Sequence, residues 1–276
     1  MSTGNLRILA TNLHDTATLT ATSEAMPITN TQRSERAYVW RSTDLTPQVI
    51  EGVLPSGGFV DCFAVDKTNL DAGGTVQVEL FSNNVLLHDS GEISTALLIP
   101  LNAWRVGIDV WGATYNERMP GKSSLCVIWL AAPAAIDKYR ITFRSTGPAS
   151  YIEAGRVFVG LSFSPETNMS WSPKVQWLEN IEHKQTEGGS LRSSGSAHPR
   201  RSFGIKLDWL SPADCQRLLT ELVSVGMGAD LLVSLYPGKG GLDELQHTMI
   251  CRRNSSYGNQ YTHLNNYSAA LDFLEV

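Results

Sequence analysis

Asp15-Thr-Ala-Thr-Leu-Thr-Ala-Thr-Ser-Glu-Ala-Met-Pro27, followed by Val39-Trp-Arg-Ser-Thr43, is an alternating strand that runs into a turn and then a short aromatic strand. Threonine alternates with alanine and leucine, the period-two pattern of a half-buried strand, and Met26-Pro27 breaks it. Strand, turn and strand this early in the chain set up a β-sheet protein.

Outward from there, most of the first 165 residues repeat the theme. Short β-rich runs are predicted at Ala37–Arg41, Gln48–Val53, Gly58–Val65, Thr75–Phe81, Val85–Ser90, Arg105–Trp111, Leu125–Ala131, Tyr139–Arg144 and Arg156–Phe163. Pro55-Ser-Gly-Gly, Asn83-Asn84, Pro120-Gly and Thr146-Gly-Pro separate them, each suited to a tight turn. Asn83-Asn84 between two apolar runs reads as a two-residue hairpin. Many short strands without a long helix predict a double-sheet architecture.

The composition then shifts. Ser164–Pro173 reads as a linker, and a strand follows at Val175–His183. Thr186–Pro199 is rich in Gly and Ser, lacks apolar periodicity and reads as a long flexible loop. Phe203, Ile205, Leu207 and Trp209 alternate as the buried face of a strand. One helix is predicted over 211–225: Ser211 caps it, Pro212 suits its first position, and Gly226 ends it. Strands at Ala229–Tyr236, Gln246–Arg252, Gln260–Leu264 and Ala269–Val276 complete the set. The expected fold is therefore mainly β. An N-terminal jelly-roll β-sandwich (1–165) precedes a β-rich domain with one packed helix (166–276).

The chain has 276 residues with 22 Lys plus Arg against 27 Asp plus Glu, a net charge of -5. That balance argues against wholesale phosphate or nucleic-acid binding, which needs a basic field. The N-terminus lacks the apolar run of a signal peptide, and no stretch has the roughly 18 uninterrupted apolar residues of a membrane span. The four cysteines, Cys62, Cys126, Cys215 and Cys251, are widely spaced and read as buried thiols.

No catalytic, metal or cofactor constellation emerges. Gly121-Lys-Ser lacks the upstream glycine of a phosphate loop, no CxxC occurs, and Gly160-Leu-Ser-Phe-Ser164 lacks the second glycine of a nucleophile elbow. Asp61, Asp66, Glu79 and Asp109 lie on strands or strand ends, and nothing selects two of them as a glycosidase pair. Trp104, Trp111 and Tyr115 could form a carbohydrate platform, although Trp on a strand more often packs in a core. Arg192, Arg200, Arg201 and Lys206 form a basic stretch with no acidic residue among these positions, which suits either assembly contacts with an acidic protein surface or simple solvation.

Leu19-Thr-Ala-Thr-Ser-Glu-Ala-Met-Pro27 with Val39-Trp-Arg-Ser42, and Tyr139-Arg-Ile-Thr-Phe143 with Ile152-Glu-Ala-Gly-Arg-Val-Phe-Val-Gly160, resemble the two ends of discoidin or galactose-binding-like jelly rolls. That family's terminal disulfide has no equivalent cysteines here. Arg200–Leu219 with Asp230-Leu-Leu-Val-Ser-Leu-Tyr-Pro237 resembles minor structural proteins of tailed bacteriophages, in particular distal-tail and tail-tip (baseplate) proteins. The combined resemblance implies a non-enzymatic virion structural protein, made in the bacterial host cytoplasm. It would form a homo-oligomeric ring that contacts tube, hub or fibre proteins of the tail. The alternative it leaves open is a carbohydrate-binding module that recognises a host surface glycan.

Overall fold

The computed structural model describes residues 4–70, 73–95, 125–145 and 149–276. The fold is mainly β. In chain order the strands are β1 (Arg7–Leu9), β2 (Thr18–Ala21), β3 (Trp40–Arg41), β4 (Gln48–Val65), β5 (Thr75–Ser82), β6 (Val85–Asp89) and β7 (Ile93–Ser94). Then come β8 (Cys126–Arg144), β9 (Glu153–Ala154), β10 (Val157–Gly160), β11 (Lys174–Gln185) and β12 (Leu191–Leu210). Helix α1 (Pro212–Val225), β13 (Leu231–Ser234), the short α2 (Gly241–Gln246), β14 (Thr248–Arg253), β15 (Asn259–His263) and β16 (Asn266–Glu275) complete the chain.

The N-terminal sandwich is organised by one long ribbon. β4 and β8 pair antiparallel from Gln48↔Phe143 to Val65↔Cys126, with register shifts between Val53 and Gly58 and between Val60 and Cys62. Pro55-Ser-Gly-Gly is therefore no hairpin turn. It is an irregularity that bends one continuous strand, which is how a sheet curls round a core. Pro133 is likewise absorbed within β8. The two halves of the ribbon face the same core, where Ile50, Ile141 and Phe143 from one half meet Phe63, Val65 and Ile128 from the other. β2 and β5 flank the first half, and β10 flanks the second. Asn83 and Asn84, at φ 50° and 62°, form the tight β5–β6 hairpin read from the sequence. Gly52 pairs with Tyr139 across the ribbon, and a Cβ there would sit inside the tyrosine ring.

The second unit is a sheet in the order β1-β13-β14-β16-β12-β11, with β15 on β16. Arg7–Leu9 belongs to it through pairing with β13, so the chain enters the second sheet before it builds the first. Helix α1 lies on one face through Cys215, Leu218 and Leu222. Ser211 caps it, its side chain accepting from Asp214 N at 3.2 Å, and Gly226 ends it at φ +76°. The other face packs Leu9, Leu232 and Ile250 onto Cys62, Ala64, Phe158 and Trp129 of the first unit. The layers therefore stack as sandwich, sheet and helix around three apolar clusters.

Two expectations change at this level. Thr186–Pro199 is not a flexible loop: apart from the turn, it is the distal part of a long hairpin. Its pattern was invisible because both of its faces meet solvent, so no apolar alternation is required. Trp209 is not on the buried face of β12. Between Leu207↔Ala269 and Leu210↔Tyr267, β12 takes three steps where β16 takes two. The extra residue turns Trp209 outward at 60% exposure and gives its core position to fully buried Leu210.

Candidate functional site

β11 and β12 form an arm that leaves the body of the protein. β16 pairs with β12 only from Ser202 onward, so from Leu178↔Arg200 to Gln185↔Leu191 the two strands pair only with each other among the described residues. Eight residues at roughly 3.3 Å each give the arm a reach of about 26 Å. Near its base β12 takes four steps, Arg200 to Ser196, where β11 takes two, Leu178 to Asn180. Pro199 falls in this bulge, where its missing N–H does no harm to the ladder. Gly195 is required beyond the bulge, because at φ +133° a Cβ would collide with the Asn180 carbonyl. Thr186 N donates to Ser190 O at 2.8 Å to close the tip turn.

The arm is polar and exposed, with apolar residues at its base and tip. Trp177, Leu178 and Leu191 are 40%, 45% and 66% exposed. Lys184 stands directly opposite Arg192. Such a cross-strand pair of like charges is unfavourable in isolation, and Glu182, 3.3 Å from Lys184, offsets it in part.

The four basic residues singled out from the sequence separate in space. Arg192 and Arg200 are exposed on the arm. Lys206 is on the body, paired with Asp208 at 2.7 Å. Arg201 is buried. Its guanidinium pairs with Glu275 at 2.5 Å and donates to the carbonyls of Leu245 and Thr248. The C-terminal strand supplies the acid that is absent from the local sequence, so Arg201 fixes the base of the arm and is not free for a partner.

Trp104, Trp111, Tyr115 and the strand expected at Arg105–Trp111 lie outside the described residues. The outer face of the N-terminal sandwich, formed by β2, β4, β5 and β8, carries an open depression of about 690 Å³. Thr22, Glu51, Gln77, Arg140, Thr142 and Arg144 are among its lining residues. Arg140 bridges Glu51 at 2.7 Å and Glu79 at 3.3 Å, and Lys138 is 2.9 Å from Glu51. Hydrogen bonds from Lys138 and Arg140 hold the Glu51 carboxyl below the usual carboxylate range, against a smaller opposing effect of burial. Among the described residues lining the depression, Glu51, Glu79, Arg140 and Arg144 are all in ion pairs.

Other polar groups are consumed by structure. Asp61 accepts from the Ser162 N–H and hydroxyl at 2.7 and 2.8 Å. His14 is fully buried between Tyr139 (2.5 Å) and Thr31 (2.8 Å), and burial holds its pKa down at about 3. Burial raises the Cys62 and Cys251 thiols well above their ordinary range and pushes Cys126 up to about 12. All four cysteines are free thiols, Cys126 being half-buried. Among the described residues no group of three or more His, Cys, Asp or Glu could hold a metal ion, and no helix is long and apolar enough to cross a membrane. The Pro237–Gly241 turn is tied down by Glu244, which accepts from Gly238 N and Gly240 N.

No family model and no curated relative matches the chain. Among solved structures it is similar to the family 32 carbohydrate-binding module of Clostridium perfringens NanJ, solved with galactose. The identity is 14% and the TM-score 0.38, covering 56% of this chain and 98% of that one. A Streptococcus pneumoniae fucose-binding module is similar at 11% identity and a TM-score of 0.38, covering 55% and 95%. The lectin domain of lectinolysin, solved with Lewis B antigen, is similar at 9% identity and 0.38, covering 55% and 96%.

Proposed function

We propose that this chain is a structural assembly protein that joins neighbouring subunits through the β11–β12 arm, and that it does so at the tail tip or baseplate of a tailed phage. The arm carries the reading. A two-stranded ribbon is marginal in water on its own, and among the described residues no strand pairs with either outer edge of this one, which leaves both edges ready to add strands. Like-signed Lys184 and Arg192 at its tip add a reason to meet an acidic partner surface. The tail assignment rests on the resemblance of Arg200–Pro237 to phage minor structural proteins, with tube, hub or fibre proteins as further partners and a ring of identical copies as the form. Limited proteolysis tests the reading. The arm is cut within Thr186–Pro199 in the free protein and protected in the assembled particle; equal cleavage in both states contradicts it.

A second reading, a carbohydrate-binding module for host-surface glycans, is favoured by the polar depression over Glu51, Gln77, Arg140 and Arg144. Planar polar side chains with no unpaired charge among the described residues suit the hydroxyls of a neutral sugar; Trp104, Trp111 and Tyr115 are the stacking platform expected from the sequence. A glycan screen decides it: sugar binding lost in Trp111→Ala supports this reading, and no binding by the folded protein removes it.

A further inference from the structure

On the face of the second sheet away from α1, two irregularities converge on one spot. The bulge in β12 turns both Asp208 and Trp209 outward, and a second shift in β15 sets Tyr261↔Tyr267 against His263↔Asn266. Both flanking strands thus carry one extra residue, β12 opposite Tyr267–Ala269 and β15 opposite Asn266–Tyr267, on either side of Tyr267 in β16. The result is a stack of Trp209 on His263, ring centroids 6.2 Å apart and planes 21° apart, with Trp209 60% exposed and His263 exposed. Each bulge gives up ladder pairing, and bulges are over-represented at sheet edges and next to active sites, where they re-aim a side chain or end the pairing.

We propose that Trp209 and His263 form a stacking site for one neutral sugar ring. A pyranose presents an apolar C–H face and a rim of hydroxyls, and the surroundings offer the counterpart of each. The indole supplies the flat apolar surface. Next to it in the chain, Asp208 is held by Lys206 at 2.7 Å and by the Ser170 hydroxyl at 2.5 Å. The Asn266 amide donates to Asp208 O at 3.1 Å. These groups are fixed in place and their charges cancel, which suits a neutral polyol. A protein anchor of this kind is normally ringed by further contacts that exclude water. Here the neighbours on the same face are Lys206, Asp208, Ala270 and Asp272, charged or small, and Ala270 and Asp272 are exposed.

The test is a calorimetric titration of the full chain with galactose, glucose, N-acetylglucosamine, N-acetylgalactosamine and rhamnose. Trp209→Ala lowers affinity for the sugar bound by at least tenfold, Trp209→Phe by less, and His263→Ala by a few fold. The melting temperature is unchanged, because both side chains are exposed, and Trp111→Ala leaves this binding intact. A flat titration across the panel, or equal affinity in Trp209→Ala, overturns the proposal. Binding lost with Trp111→Ala and kept in Trp209→Ala overturns it in favour of the N-terminal site. Loss of self-association in Trp209→Ala without any sugar binding overturns it and makes Trp209 a protein contact.

Discussion

The indole Nε1 of Trp129, on β8 of the N-terminal sandwich, donates to the Glu244 carboxylate of the second unit at 2.7 Å. The same carboxylate accepts from Gly238 N at 2.9 Å and Gly240 N at 2.7 Å. One side chain therefore closes a glycine turn and latches the two sheets beside their shared apolar contact.

Glu244→Gln turns an amide donor toward this group of donors. Charge-assisted bonds of this kind contribute about 1.5–3 kcal/mol, so the melting temperature should fall by about 3–10 °C in a chain of this size. Trp129→Phe should cost less, and the double variant should cost less than the sum of the two, because both remove one contact. Full additivity in thermal melts would show that the latch is not coupled.

Arg201 and Arg200 are adjacent in sequence and should behave oppositely. Arg201→Ala strands the Glu275 carboxylate and should cost about 3–5 kcal/mol in urea unfolding, the usual penalty for breaking a buried pair. Arg192→Ala with Arg200→Ala should stay within about 0.5 kcal/mol of the parent and should instead weaken assembly. A stable Arg201→Ala variant would contradict the placement of this residue beneath the arm.

His14 makes stability depend on acid. Its folded pKa of about 3 lies below the unfolded value of 6.5, so between these values the unfolded chain binds the extra proton. The stabilisation is complete above pH 6.5 and is lost as pH falls toward 3, at up to about 1.4 kcal/mol per pH unit. Melts recorded from pH 7 to pH 4 should therefore be steeper for the parent than for His14→Gln; identical slopes would refute the buried neutral imidazole.

Several of these features were legible in the sequence, and the reasons are local. Ser211, Pro212 and Gly226 act through the backbone of their own helix, and Asn83-Asn84 through its own turn, so residue identity suffices. Trp209 misled because a one-residue bulge exchanges faces, and that shift is set by pairing with β16 far along the chain. Arg201 looked unpaired because Glu275 lies 74 positions away in sequence. The arm looked like a loop because its described side chains are mostly exposed. A strand without a buried face has no reason to alternate.

The most direct test of the assembly claim is sedimentation of the full chain beside a variant in which residues 179–200 are replaced by Asn-Gly. A discrete oligomer is expected for the full chain and a monomer for the variant, with the melting temperature of the body unchanged because β16 pairs with β12 only beyond the arm. A full chain that stays monomeric at tens of micromolar, or an oligomer that survives removal of the arm, would contradict it.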